Sequence, residues 1–172
     1  HNAVREGDRA CAMRTIMVTL LVIVVLIAGV SFIGRQPVET VRDCAAAPAP
    51  GVFLEGCRLN GVQLTGASLS GAHLASTSLS GARLSESDLS QADLRYADLS
   101  GTDLSYVNLR AADLKGANLR RADLTNADLE GADLTYADLA GARLGGTSLS
   151  RVKLEGAIWT DGGKCGKSDC PR

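Results

Sequence analysis

Leucine stands at position 54 and at every fifth position through Leu154, twenty-one times without a gap, and Trp159 takes the next place in the same register. Two residues before each leucine sits something small, as at Ala67, Ala72, Ala82, Ala92 and Ala97, with Val, Thr, Ser or Cys as variants. One residue before is usually Asp or Asn, and two residues after is often Gly. A fixed internal period is read before any local propensity. On an α-helix five residues advance by about 500°, so the leucines would smear around the cylinder. On a continuous strand an odd period sends successive leucines to opposite faces. A short extended step does work, because side chains two apart share a face. A turn must then follow each step, and the Gly, Ser, Asn and Thr after each leucine supply turn chemistry. The chain must coil, with Leu and Ala inside and Asp, Arg and Ser outside. Composition agrees: 45% of the residues are hydrophobic, yet only 3% are aromatic, and a narrow lumen has no room for large rings.

The stretches ADLRY (92–96), ADLSG (97–101), ANLRR (117–121), ADLTN (122–126), ADLEG (127–131) and ADLTY (132–136) match a consensus written A(D/N)LXX. On these residues the segment 52–161 resembles the pentapeptide-repeat family. The resemblance implies an all-β fold, a right-handed quadrilateral β-helix with four pentapeptides per coil. Val52–Asp161 would then make about 5.5 coils, a rod of about 26 Å at ~4.8 Å per coil. Stacked repeats expose their ends and need caps.

Ahead of the repeat the composition changes twice. Residues 1–14 are short and polar, with Arg5, Arg9 and Arg14. Thr15–Gly34 carries no charge and is bracketed by Arg14 and Arg35. As a helix of about 20 residues it would span roughly 30 Å, the hydrocarbon thickness of a bilayer. A transmembrane anchor is therefore expected over 15–34. A cleaved secretory signal, whose apolar stretch is usually about 7–15 residues, and a buried soluble helix are the alternatives. Residues 35–51 read as a Pro/Ala-rich linker, extended by Pro37, Pro48 and Pro50.

Cys57 occupies a small inward slot of the repeat, and Cys44 lies in the linker upstream. Cys165 and Cys170 fall in the polar segment 162–172 after the last leucine-register residue. Two disulfides are expected, Cys44–Cys57 and Cys165–Cys170, clipping linker to first coil and closing a C-terminal cap. A four-cysteine metal site would have to join Cys57 to Cys165 across a rod's length, with Zn–S bonds of about 2.3 Å; free thiols are the third reading. Disulfides belong to oxidising compartments. Cys11, before the apolar run, would stay unpaired on the other side. The expected topology is a single pass through an inner or thylakoid-like membrane, N-terminus cytoplasmic and repeat domain periplasmic or lumenal. DCAAAPAPGVFLEGCRL (43–59) and IWTDGGKC…C (158–170) also resemble the ends of exported or anchored members of the family.

Function is narrowed mostly by exclusion. Eighteen Lys+Arg oppose nineteen Asp+Glu, a net charge of −1, without the basic excess of a nucleic-acid binder. Only His1 and His73 are present, and no serine has an activating constellation around it. No enzyme activity, catalytic residue, metal, cofactor or small-molecule substrate is expected. If four pentads make a coil, residues twenty apart stack, giving one outward column of His73, Asp93, Asp113, Asp133 and Lys153. Such carboxylates repel unless Arg95, Lys115 or backbone N–H groups offset them. Tyr96 and Tyr136 fall on one corner, two coils apart with Gly116 between, either packing over the glycine gap or anchoring a partner. The candidate partner-binding face is Asp93, Arg95, Tyr96, Asp113, Lys115, Asp133 and Tyr136. The expected role is a non-catalytic, membrane-anchored scaffold or accessory subunit that binds protein, in a multi-subunit membrane complex. The alternative follows from the resemblance: some family members are implied to mimic B-DNA and bind a topoisomerase such as DNA gyrase.

Overall fold

The computed structural model describes residues 44–166 and Cys170. The expected membrane helix, Thr15–Gly34, lies outside the described residues, as do segment 1–14 and most of the linker. Among the described residues no helix is long and apolar enough to cross a membrane.

The coil has a period of twenty residues. Eighteen parallel β-bridges join residue i to i+20, from Phe53↔His73 to Asp138↔Ile158, every one at the position before the leucine or its substitute. In a mid-rod pentad whose outward residue is Asp or Asn, every N–H is paired. In the pentad Ala92–Tyr96, the Leu94 N–H donates to the Asp113 carbonyl of the next coil (2.8 Å), and the Asp93 N–H to the Ala72 carbonyl of the previous one (2.9 Å). The corner N–H of Tyr96 donates forward to Lys115 O (3.0 Å), and the Ala92 N–H closes the preceding turn on Leu89 O (3.1 Å). The fifth, on Arg95, is taken by the Asp93 side chain, whose Oδ1 accepts it at 3.3 Å. The same side-chain turn recurs at Asp88, Asp98, Asp103, Asn108, Asp113, Asn118, Asp123, Asp128, Asp133 and Asp138. This explains the Asp/Asn preference: a short carboxylate or amide reaches the backbone two residues on and pairs the one N–H that coil stacking leaves over.

The corner residue, two after each leucine, has positive φ throughout, from Gly51 (66°) to Gly156 (71°). That conformation is required at the third residue of a type II turn and costs glycine little. Ten corners nonetheless carry another residue, among them Tyr96, Tyr106, Tyr136 and Asn126. Their side chains reach toward the next coil, where several meet a glycine. The ring edges of Tyr96 and Tyr136 lie on Gly116 and Gly156, and a Cβ added at either glycine would fall 2.7 or 2.5 Å from the ring. Gly116→Ala should therefore destabilise the rod by about 1 kcal/mol more than Gly101→Ala, since both pay for positive φ but nothing lies within 4 Å of a Cβ at Gly101. Chemical denaturation of both variants, with and without Tyr96→Ser, checks this: removing the ring should erase the difference.

The interior is a single Leu/Ala column. Every register leucine from Leu69 to Leu139 is 0–1% exposed, and the inward Ala82, Ala92, Ala97, Ala122 and Ala132 are fully buried. Thr77, Thr102 and Thr147 take the small inward slot, and each hydroxyl donates to a leucine carbonyl of the previous coil: Leu54, Leu79 and Leu124. No buried side-chain polar atom lacks a partner among the described residues.

The two ends of the rod are built differently. The rod begins before Val52: Ala49 takes the leucine position, its carbonyl accepting the Val52 N–H (3.2 Å), and the Gly51 N–H already pairs with Ser70 O (2.8 Å). The last residues of segment 35–51 thus enter the first turn, the exposed Ala49 closing it through its carbonyl and Gly51 supplying the positive φ. Cys44 is bonded to Cys57, with Cα atoms 5.6 Å apart, and Cys57 is 2% exposed. At the other end Trp159 plugs the lumen, 7% exposed. The chain then folds back, with Ile158 bridged antiparallel to Lys164 and the Trp159 N–H donating to Gly163 O (2.7 Å). Cys165 is bonded to Cys170.

Candidate interaction face

On each flat side of a coil the residues before and after the leucine point outward, so every face carries two outward columns. One face brings together the charged residues read from the sequence. Its bridges run Phe53↔His73↔Asp93↔Asp113↔Asp133↔Lys153, with Arg95 and Lys115 in the companion column. Arg95 binds Asp93 (2.6 Å) in its own coil and lies 4.0 Å from Asp113 in the next. Lys115 repeats the step to Asp113 and Asp133, both at 3.4 Å, and Lys153 closes on Asp133 at 3.2 Å.

The feared acidic stripe is therefore a ladder of alternating sign, three carboxylates interleaved with three cations. Other faces follow suit: Arg110 pairs with Asp128 (3.0 Å) and Glu130, Arg151 with Glu130, Arg120 with Asp138 (2.9 Å) and Arg143 with Asp123 (3.3 Å). Where no cation is present an amide substitutes, the Asn108 and Asn118 side chains donating to Asp88 and Asp98 at 2.9 Å. Exposed pairs of this kind contribute about 0–1 kcal/mol each; their larger effect is to leave the faces close to neutral.

The carboxylates respond to this setting. The side-chain hydrogen bond from Arg95 holds the Asp93 carboxyl below the usual range, and the Thr125 hydroxyl does the same for Asp123. Asp133 is the most perturbed. Burial pushes its pKa up, but the Thr135 hydroxyl and N–H, with Lys153 and Lys115, outweigh that and bring it down to about 2. A depressed carboxyl stabilises the fold fully above its unfolded pKa, about 3.9, and loses that contribution as pH falls through the folded value. The Tm of the native chain should thus drop between about pH 4 and pH 2, and Asp133→Asn should show a shallower drop over that interval in thermal melts.

Tyr96 and Tyr136 occupy the corner beside this face, 70% and 67% exposed; the ring over glycine and the exposed ring, read as alternatives, coexist. All seven residues of the candidate face therefore lie on one side and its adjoining corner. Missed in the sequence is Phe53, whose ring stacks on His73 at 4.2 Å and 3° at the N-terminal end of the same face. The twenty-residue spacing between them was the signal. An apolar pocket of about 230 Å³ also opens at that end of the rod, lined by Cys44, Ala46, Pro48, Leu54, Leu59 and Leu64 among others. Among the described residues no three His, Cys, Asp or Glu side chains are grouped to hold a metal.

A twenty-residue parallel coil with leucine inside and positive φ at each corner defines a β-solenoid of pentapeptides. The family described as pentapeptide repeats matches in eight copies across residues 49–158, and the chain belongs to that family, whose members form right-handed β-helices and are generally non-catalytic structural or interaction proteins. It is similar to the pentapeptide repeat protein Rfr23 of the cyanobacterium Cyanothece 51142, at 35% identity, over 61% of this chain and 85% of that one, with a TM-score of 0.58. A pentapeptide repeat protein of the Arabidopsis thaliana thylakoid lumen matches at 34% identity over 62% and 68% of the two chains, TM-score 0.46. HetL of Nostoc, involved in heterocyst differentiation regulation, matches at 37% over 67% of each, TM-score 0.29. No curated protein matches the sequence.

Proposed function

We propose that this chain is a non-catalytic interaction module: a disulfide-capped rod, tethered to a membrane through Thr15–Gly34, that docks a protein subunit on the periplasmic or lumenal side. The observation that carries the reading is the ladder Asp93, Arg95, Asp113, Lys115, Asp133 and Lys153. It is a flat, rigid, nearly neutral face with its backbone fully paired, and it offers alternating charges at one-coil spacing. A partner with complementary alternation gains register from it. The paired cysteines support an oxidising compartment, and the uncharged apolar run supports the tether.

The DNA-mimic alternative requires an uncompensated acidic surface. The longest carboxylate column, Asp93–Asp113–Asp133, is neutralised rung by rung, which weakens that reading.

Affinity capture of the tagged full chain from gently solubilised native membranes tests the proposal. One defined set of subunits should co-purify, and the double reversal Arg95→Glu, Lys115→Glu should release it while an equivalent reversal on another face, Arg120→Glu, should not. A chain that purifies alone and monodisperse, or partners indifferent to the face reversed, would contradict the docking role.

A further inference from the structure

The tyrosine corner points to a ligand of its own, beyond the protein-docking role of the adjoining face. We propose that Tyr96 and Tyr136 form a two-ring platform for an extended β-1,4-linked polysaccharide.

Four observations converge. First, both rings are largely solvent-exposed, although the register leucines around them are sealed in the lumen. Second, they are held rather than loose: each springs from a corner fixed at positive φ, 57° and 61°, and rests its Cδ1–Cε1 edge on the glycine one coil further on. Resting on an edge leaves ring faces to solvent. Third, the column is otherwise small, running Gly56, Ser76, Tyr96, Gly116, Tyr136, Gly156, so nothing tall interrupts a chain laid along the rod. Fourth, the stacking sets the repeat. Residues forty apart stand two coils apart, about 9.6 Å at ~4.8 Å per coil.

In an extended β-1,4-linked glycan each sugar is turned over relative to the last, so equivalent faces recur every second sugar, at a length close to two coils. The C–H-rich face of a pyranose packs on an aromatic face through dispersion and the ring quadrupole. The two tyrosines would thus take sugars i and i+2 of one strand, sugar i+1 crossing Gly116. Polar side chains at single-coil spacing line both flanks, Arg95, Lys115 and Thr135 on one and Asp98, Asn118 and Asp138 on the other, to meet the hydroxyl groups. The opposite corner supplies a built-in control. Tyr106 is similarly exposed, but the residues two coils either way in its column are Gly66 and Gly146, so it has no second ring.

Isothermal titration of the full chain in a sugar-free detergent with chitohexaose, and separately with maltohexaose, tests the inference. Chitohexaose should bind, and maltohexaose, whose α-linked chain curls, should bind at least about tenfold more weakly. Tyr96→Ala or Tyr136→Ala should each weaken chitohexaose about tenfold, the loss of one stacked ring, while Tyr106→Ala should leave it unchanged. Unaltered thermal melts of the alanine variants separate lost binding from lost folding. No heat of binding with chitohexaose, equal affinity for both oligosaccharides, or an equal loss from Tyr106→Ala overturns the proposal. The same variants leave the charge ladder intact, so membrane capture of a protein subunit can succeed or fail independently of this outcome.

Discussion

Leu109→Ala should destabilise the rod by about 2–5 kcal/mol, whereas Leu149→Ala should cost clearly less. Leu109 is 0% exposed, with leucine-bearing coils stacked both above and below it. Truncation there removes buried methyl groups and leaves a cavity that flanking coils, locked by cross-coil hydrogen bonds, cannot close. Leu149 is only partly buried, toward the C-terminal end of the rod. Because each coil contacts only its neighbours, a defect in the middle also uncouples the two halves. Urea titration should show a lower midpoint for Leu109→Ala, and a broken or biphasic transition would mark that uncoupling.

A second large effect concerns register. Deleting one residue, Ser105, should damage the fold far more than deleting twenty, Asp103–Ala122. The long deletion joins Thr102 to Asp123, which restores the order small, Asp, Leu and keeps every column in its place, since bridges run from i to i+20. It removes one coil of about 4.8 Å and leaves both disulfides where they are. The single deletion shifts the following residue into a corner that demands positive φ and turns leucines relative to the lumen, the odd-register failure that strands also show. Circular dichroism and thermal melts of the two variants should show a shortened but cooperative rod in the first case and a grossly destabilised chain in the second.

The coil was legible because each pentad is a complete stereochemical unit. Small residue, Asp, Leu, free position and Gly map one to one onto inward slot, side-chain turn, lumen, outward position and positive-φ corner. With the four-pentad coil that the family resemblance implied, the stacking of Asp93, Asp113 and Asp133, and of Tyr96 over Gly116, followed by counting to twenty. What counting could not give was how the charges meet. Whether Arg95 reaches back to Asp93, forward to Asp113 or out to solvent depends on rotamers and on carboxylates a coil away. The inward threonines were also opaque in sequence, because a hydroxyl in an apolar lumen makes sense only once the carbonyl of Leu54 or Leu79 is placed beneath it. The turn ahead of Val52 was not legible because Ala49 carries no leucine to announce the register, and Phe53 went unnoticed because its meaning lies in His73, one coil later.

We propose that the rod is closed at both ends by disulfides and held in an oxidising compartment. Alkylation of intact cells with a permeant maleimide, followed by denaturation without reductant and intact-mass measurement, tests it most directly. Cys44, Cys57, Cys165 and Cys170 should remain unmodified until reductant is added, and Cys11 should be modified from the start. Four alkylated cysteines in the unreduced sample would contradict it.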